Sequence, residues 1–471
     1  MDKILNFIKK FIPKKTFKVL QPTYHLFLSW LSALWYGWPS EKLIVIGVTG
    51  TTGKTTSSYL IAEALKGCGF KTGLTSTAFF DDGNRQWLND KKMTMIGRFF
   101  IQKMLKRMVK NKCQFAVIET TSEGIRQFRH RFINYDHLVF TCLYPEHIES
   151  HGSFEKYKKA KGKLFAHLKK CNIKYTNDEL KVHKLTSEIK KIDLNKIKKT
   201  IVANIDDEYA EYFLSFWAEK KIGISRRAEI NKEDEELPES LEIINYKDME
   251  ATQRRISFTV LDTRFDLQLT GEFNAINAMN AITIAHLYEK DLNKIKEAIE
   301  DIKGVAGRLE KIDDGQDFTV IVDYAFEPNA VEKLYETVES LPYNSIIHVL
   351  GSTGGGRDEA RRPKLGKIAG ERSEIVIVTN EDPYDDDPEL IIAQVAAGAQ
   401  TAGKILGEDL FKITDRREAI KKAFSLAEEG DIVLITGKGS EQAICIANHE
   451  KIPWDDRTVA REELELLKNK E

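Results

Sequence analysis

Gly47-Val-Thr-Gly-Thr-Thr-Gly-Lys-Thr-Thr56 is the stretch that decides how the rest of this chain is read. It follows the apolar run Leu43-Ile44-Val45-Ile46, which reads as a buried strand. It precedes a helical pattern of apolar residues at Tyr59, Leu60, Ile61, Ala64 and Leu65. Strand, glycine-rich loop and helix in that order form the context a phosphate-binding loop requires. Glycines let backbone N–H groups turn toward phosphate oxygens, and the helix N-terminus adds partial positive charge. The tight unit is Gly50, Thr51, Thr52, Gly53, Lys54, Thr55 and Thr56, because Gly47 lies one residue too far back for the GxxxxGK[ST] spacing. Lys54 is placed to reach the β- and γ-phosphates of a nucleotide, and Thr55 or Thr56 to hold Mg²⁺.

Working outward, the runs Phe115–Ile118 and Leu138–Phe140 read as further buried strands among helical patterns, the grammar of a parallel sheet with crossover helices. Between Glu233 and Leu269 an acidic, Pro-bearing segment leads into alternating residues at Arg255–Val260, read as an antiparallel addition. Lys303-Gly304-Val305-Ala306-Gly307 reads as a hinge. The strand rhythm then restarts at Phe318–Val322, Ile346–Leu350, Ile375–Thr379 and Ile432–Thr436. The expected fold class is α/β: a central P-loop ATPase domain with a mostly parallel sheet at 41–303, and a C-terminal Rossmann-like α/β domain at 304–471. Residues 1–40 form a short basic and apolar segment ahead of both.

Composition narrows the function classes. The 471 residues are 42% hydrophobic and 30% charged, with 71 Lys plus Arg against 72 Asp plus Glu. Near-neutral charge argues against a global electrostatic grip on nucleic acid. The five cysteines, Cys68, Cys113, Cys142, Cys171 and Cys445, form no CxxC pair, so the expectation is neither a zinc ribbon nor a disulfide framework, and a reducing cytosol. Lys3, Lys9, Lys10, Lys14, Lys15 and Lys18 crowd the N-terminus. The following apolar stretch, Tyr24–Trp38, is short for a spanning helix. With a polar stripe at His25, Ser29 and Ser32, it reads as a helix docked on the protein body. The sharper alternative lays residues 3–38, with Trp30, Trp35 and Trp38, on an anionic membrane surface.

Two further segments carry chemistry. Glu119 ends a strand beside the loop, where a carboxylate can bind Mg²⁺. Glu146-His147 through Lys161 places a His and a Lys fourteen residues apart, just after a strand that should end near the nucleotide.

On these residues the chain resembles the Mur ligases, ATP-dependent peptide ligases of cell-wall synthesis, and most of all their E-type branch. The family's TGTNGKTT matches Thr49–Thr56 with Thr52 in place of Asn, and its DHLDYHG…Y..AK matches Glu146–Lys161. The resemblance implies ATP and two Mg²⁺, with Glu119 and His147 as metal ligands and Lys161 carbamylated by CO₂ to serve a second Mg²⁺. It continues through Asn204–Asp207, then Gly271–Ala278, where Asn277 would lie near the adenine. In Gly307-Arg308-Leu-Glu310, Arg308 would reach the phosphates, and in Asp323-Tyr324-Ala325, Asp323 would lie near the ribose. Phe326 stands where the family has His. Arg357 would pair with an amino-acid carboxylate. Gly437-Lys438-Gly439-Ser440-Glu441 would line the same pocket, with Glu441 on a substrate ammonium.

The implied reaction joins an amino acid to a muramyl-peptide carboxylate through an acyl phosphate, in a cytoplasmic, monomeric enzyme. E-type members carry an N-terminal domain that holds the uridine nucleotide. Only about 40 residues precede the loop strand here, too few for an independent core, so the expectation is a uridine grip that is reduced, rebuilt or not needed. Diaminopimelate-adding members read DNPR at the specificity loop, where this chain has Glu381-Asp382-Pro383-Tyr384. Tyr384 in place of Arg, with acids following, points to L-lysine or a similar diamino acid. The rival readings are folylpolyglutamate- or cyanophycin-type ligases of the same fold and a non-catalytic nucleotide-binding protein. The last lacks a guanine-reading NKxD to support it.

Overall fold

The computed structural model describes residues 14–146, 151–183, 194–230, 237–252, 255–356 and 359–469, with the side chains of 14–20 and of residue 449 excepted. The first sheet has eleven strands. From one edge they run Thr263–Leu267, Ile256–Val260, Glu242–Ala251, Lys220–Ser225, Thr200–Asn204, His137–Phe140, Ile44–Thr49, Phe115–Glu119, Thr72–Thr75, Phe79–Asp81 and Gln86–Leu88. The seven strands from Glu242–Ala251 to Thr72–Thr75 are parallel, and antiparallel hairpins finish both edges. The expected antiparallel addition is therefore present as Ile256–Val260 and Thr263–Leu267, although Glu242–Ala251 pairs in parallel with its other neighbour. Residues 231–236 of its acidic lead-in lie outside the described residues.

Every residue of Ile44–Thr49 and Phe115–Glu119 is buried. Such continuous apolar runs mark strands covered on both faces. One face packs on the helices Lys54–Gly67 and Phe273–His286, and the other on Arg98–Lys110 and Phe154–Leu168. Register then builds the site. Val48 pairs with Glu119, and Thr49 with Phe140, so the phosphate loop, Glu119 and Thr141 all leave the sheet at its carboxyl edge. At the opposite edge a charged knot anchors the sheet. Buried Asp136 accepts from Lys174 Nζ at 2.6 Å, Lys199 Nζ at 2.8 Å and the Val45 N–H at 2.8 Å.

The second sheet has the order Glu310–Ile312, Thr319–Asp323, Ile432–Thr436, Ile346–Leu350, Ile375–Thr379, Leu410–Ile413 and is parallel except at its first strand. The sequence reading found four of these strands and missed Glu310–Ile312 and Leu410–Ile413, each of four residues or fewer. The chain passes between the two sheets at 303–309.

The N-terminal helix Lys14–Tyr36 is docked on the body, but with its faces inverted from ordinary amphipathicity. The polar stripe is inside: Ser29 and Ser32 are buried, and Ser29 Oγ lies 2.9 Å from the carbonyls of both His25 and Phe128. Phe27, Trp30, Leu34 and Trp35 are outside, Trp35 at 75% exposure. Among the described residues no helix is long and apolar enough to cross a membrane.

Candidate active site

The loop after Thr49 needs its glycines for space. A Cβ at Gly50 would lie 1.9 Å from Thr141 Oγ1. Gly53 has φ 74°, and a Cβ there would lie 2.5 Å from Asn277 Oδ1. Lys54 opens the following helix and its Nζ donates to the Thr51 carbonyl at 2.5 Å. Thr51 is pinned from below, its N–H on the Cys142 carbonyl at 2.8 Å and its hydroxyl 3.2 Å from Tyr157 Oη. Thr52 Oγ1 sits 3.2 Å from Cys142 Sγ, and Thr56 is buried.

Thr55 Oγ1 donates to Glu119 Oε1 at 3.0 Å. Glu119, 1% exposed, also accepts from the Thr77 N–H at 2.7 Å and the Thr77 hydroxyl at 3.0 Å. A hydroxyl and a carboxylate side by side at a phosphate loop are hard oxygen donors. They suit Mg²⁺, which keeps waters and phosphate oxygens for its other positions. The expected third ligand, His147, lies outside the described residues. Among the described residues no cluster of three or more His, Cys, Asp or Glu forms a complete metal cage.

Lys161 is 1% exposed, and its Nζ donates to the Gly50 carbonyl at 2.6 Å. Burial, reinforced by the charge of Lys54 and opposed by Glu146, pulls Lys161 well below the ordinary lysine range. Glu146 moves the other way: burial raises its carboxyl, against the charges of Lys54 and Lys161. A buried lysine that gives up its proton readily is chemically unlike one held as a permanent cation. Sequence reasoning quoted Glu146 only as part of a motif and gave it no role. Both Lys54 and Lys161 act on it electrostatically.

Asn277 is buried at the foot of the loop helix. Its Oδ1 accepts from Ser57 Oγ at 3.0 Å and its Nδ2 donates to Asn274 Oδ1 at 2.9 Å. Arg308 arrives from the crossover segment. Its Nη2 donates to Thr55 Oγ1 at 3.2 Å, and its guanidinium stacks 4.3 Å from the Tyr324 ring centroid. Asp323, expected at a ribose, accepts from the backbone N–H groups of Leu309 and Ala325 at 2.7 and 2.6 Å. Burial raises its carboxyl, opposed by Arg308. These groups line a cleft of about 450 Å³ that runs from the phosphate loop to the start of Pro328–Val338.

The second half of the expected site lies on the C-terminal lobe. Arg357 falls outside the described residues. Glu381 is 2% exposed, and burial pushes its carboxyl up to about 7, with Arg361 opposing and Asp382 reinforcing. Gly437, at φ 102°, lies so close that a Cβ would meet Glu381 Oε2 at 2.6 Å. Tyr384, at φ 53°, donates its N–H to the Cys445 carbonyl, and its ring lies against Gly355. Glu441 accepts from Tyr324 Oη at 3.3 Å and from Lys438 Nζ at 2.5 Å. Asp382, expected to bind substrate as part of the specificity loop, is engaged by two of the chain's own lysines, Lys92 and Lys438. Lys92 had no part in the sequence reading, and Lys438 entered it only as part of the Gly437–Glu441 motif, with no role of its own. For Lys92 no local signal existed, since it lies 290 residues from its partner.

Two family models match: the Mur ligase middle domain over residues 48–201 and the Mur ligase, glutamate ligase domain over 307–439. The chain is 37% identical over 458 residues to the UDP-N-acetylmuramyl-tripeptide synthetase of Roseiflexus sp. (strain RS-1), covering 95% of this chain and 83% of that one. It is 32% identical over 437 residues to the UDP-N-acetylmuramoyl-L-alanyl-D-glutamate--2,6-diaminopimelate ligase of Geobacillus kaustophilus (strain HTA426), covering 92% and 81%. A solved structure of a ligase of the latter name matches with a TM-score of 0.53 at 26% identity, over 91% of this chain and 79% of that one. The folylpolyglutamate synthase of Mycobacterium tuberculosis shares the fold, with a TM-score of 0.59 at 15% identity over 88% and 92% of the two chains. Phosphate loop, Glu119–Thr55 pair and linker arginine thus sit in a chain that belongs to the Mur ligase family and is an ATP-dependent ligase.

Proposed function

We propose that this ligase joins an amino acid to the free carboxylate of a muramyl peptide in peptidoglycan precursor synthesis. The observation that carries the reading is convergence in one cleft. Lys54, the Thr55–Glu119 pair and Arg308 face the place for a triphosphate, and the C-terminal lobe brings Asp323, Tyr324 and Glu327 to the same cleft, with Tyr324 Oη bonded to Glu441 behind it.

The chemistry runs in two transfers. An acceptor carboxylate oxygen attacks the γ-phosphorus of ATP, the bond to the β-bridging oxygen breaks, and an acyl phosphate and ADP result. The amino acid's amine then attacks the acyl carbon, phosphate leaves, and the amine's proton is released as the amide forms. Lys54 and Arg308 neutralise charge that spreads over the transferred phosphoryl oxygens. Thr55 and Glu119 would hold a Mg²⁺, which would supply Lewis-acid neutralisation of phosphate charge. Asn277 fixes the loop helix on which these groups ride, and the two lobes hold acceptor and amine in one orientation.

Lys161 is proposed to react as the neutral amine with CO₂, forming the N–C bond and releasing one N–H proton to solvent, and the resulting carbamate would help hold a second Mg²⁺. Supporting this are its burial, its depressed basicity and its contact with the loop at Gly50. The proposed amino acid is a diamino acid. Supporting this, Tyr384 stands where diaminopimelate-adding members place Arg and brings no cation of its own to a second carboxylate. Mass spectrometry of the products formed from ATP, a panel of muramyl peptides and a panel of diamino acids tests the whole reading. ADP release independent of both acceptor and amino acid would contradict it.

The N-terminal helix supports a peripheral contact with an anionic bilayer. Its exposed Phe27, Trp30, Leu34 and Trp35 form an aromatic-rich outer face, and the helix it packs on, Arg98–Lys110, carries exposed Lys103, Lys106 and Lys110. Flotation with phosphatidylglycerol vesicles checks this. Cosedimentation should fall when Trp30 and Trp35 are both replaced by Ser, and equal binding of the variant to those vesicles would count against the contact.

A further inference from the structure

Lys92 starts on the middle lobe and ends inside the C-terminal one. It lies in the loop after the edge strand Gln86–Leu88, with φ 50°, a left-handed backbone disfavoured for a residue with a Cβ. Its side chain is only 5% exposed. Nζ donates to both oxygens of Asp382, at 2.6 and 2.7 Å, and lies 3.2 Å from Glu441 Oε2. Lys438 reaches the same two carboxylates from its own lobe, at 3.1 Å to each Asp382 oxygen and 2.5 Å to Glu441. The Cys445 N–H completes the set, 2.7 Å from Asp382 Oδ1.

A lysine on an edge loop has an easy alternative, extended into water with its amine hydrated. Here the amine is withdrawn from solvent, on a strained backbone, into the opposite lobe. Such burial persists only where carboxylates answer the charge. Asp382 belongs to the specificity loop and Glu441 to the Gly437–Glu441 turn, so the amine touches both segments expected to shape the amino-acid pocket.

We propose that Lys92 is a positioning residue for the incoming amino acid, completing its pocket across the cleft by fixing Asp382 and Glu441 when the lobes are together. This rests on the reading that the C-terminal lobe presents the amino acid. The pocket then exists in full only in the closed arrangement. Amino-acid capture and lobe closure become one event.

The test uses the full chain with ATP, UDP-N-acetylmuramoyl-L-alanyl-D-glutamate and L-lysine or meso-diaminopimelate, whichever the unmodified protein uses. Lys92→Met should raise the amino-acid KM by about ten-fold or more while leaving the ATP KM within about two-fold. Lys92→Arg, which keeps the charge, should recover most of the loss. Asp382→Asn should reproduce the effect, and the double variant should be no worse than either single one, because both remove the same interaction. An amino-acid KM that is unchanged or lower in Lys92→Met overturns the proposal. Small-angle scattering with Mg²⁺ and a non-hydrolysable ATP analogue gives a readout independent of the substrates. Lys92→Met should show a larger radius of gyration, and equal radii refute a role across the cleft. If the unmodified protein makes no product from any amino acid, the acceptor reading fails, while the scattering comparison still decides Lys92.

Discussion

The two halves of the cleft are built on different principles. On the middle lobe most of the framework around the phosphate loop is uncharged, with Lys161 and Glu146 as buried exceptions. Backbone turns, hydroxyls and amides of 50–57, 77 and 277 shape it, with Lys54 and Glu119 as its working ions. At the C-terminal lobe the site is a buried lattice of ionisable groups drawn from distant segments: Asp382, Lys438, Glu441 and the Glu381 carboxyl, met by Lys92 from the middle lobe and backed by Arg361 and by Arg416 with Asp456. The first arrangement suits a ligand that brings its own large charge. The second is held by its own ion pairs, with Lys92 joining them across the cleft in the closed arrangement, and must be partly rearranged to admit a ligand.

That contrast can be broken by variants. Lys54→Ala should lower ADP formation by about a thousand-fold or more, equivalent to about 4 kcal/mol of barrier, with the melting temperature little changed. Retained turnover would end the description of the middle lobe as the phosphate-handling half. Lys161→Ala should cost about a hundred-fold, Lys161→Glu less, and intact-mass measurement in bicarbonate should find the mass of one added CO₂ on the unmodified chain alone. An intact mass without the adduct would remove the carbamate from the scheme.

On the other lobe the expected signature is in stability. Glu381 has a folded pKa of about 7, above the ordinary carboxylate value, so the folded state holds this proton more tightly than the unfolded chain. As far as this group goes, stability is greatest below the unfolded pKa and is lost as pH rises through the folded one, by about 3 kcal/mol in total. Glu381→Gln should therefore gain on the unmodified protein in thermal unfolding between about pH 5 and pH 8. Parallel melting curves across that range would show that the carboxyl is not held neutral. The smallest effect sharpens rather than breaks the comparison. Tyr384→Arg should shift amino-acid preference toward diaminopimelate by about ten-fold in competition, and an unmoved preference would place selection elsewhere in the pocket.

The same contrast explains what could be read from the chain alone. Strand, loop and helix at 44–67 are contiguous, and the periodicity that buries them also aims the loop, so fold and phosphate site came together. Glu119 was readable because parallel register puts strand ends at one edge. The short strands Glu310–Ile312 and Leu410–Ile413 escaped because three or four residues carry too little alternation to stand out. Lys92 escaped for a deeper reason. Its partners are fixed only when two separately folded sheets meet, and nothing in the residues around it records that encounter. The N-terminal helix was half readable: its composition announced an unusual helix, but which face would turn inward depended on Phe128 offering a carbonyl to Ser29.

Arg308 sits where the chain crosses from one sheet to the other, and it touches the hydroxyl of Thr55. A pivot at this crossing would lie beside the place proposed for the triphosphate rather than remote from it. Rotation about such a point moves nearby atoms through a short arc and far ones through a long arc. A swing large enough to carry Asp382 away from Lys92 would leave the phosphoryl group's surroundings almost unaltered, so the enzyme can exchange one substrate while keeping its grip on another.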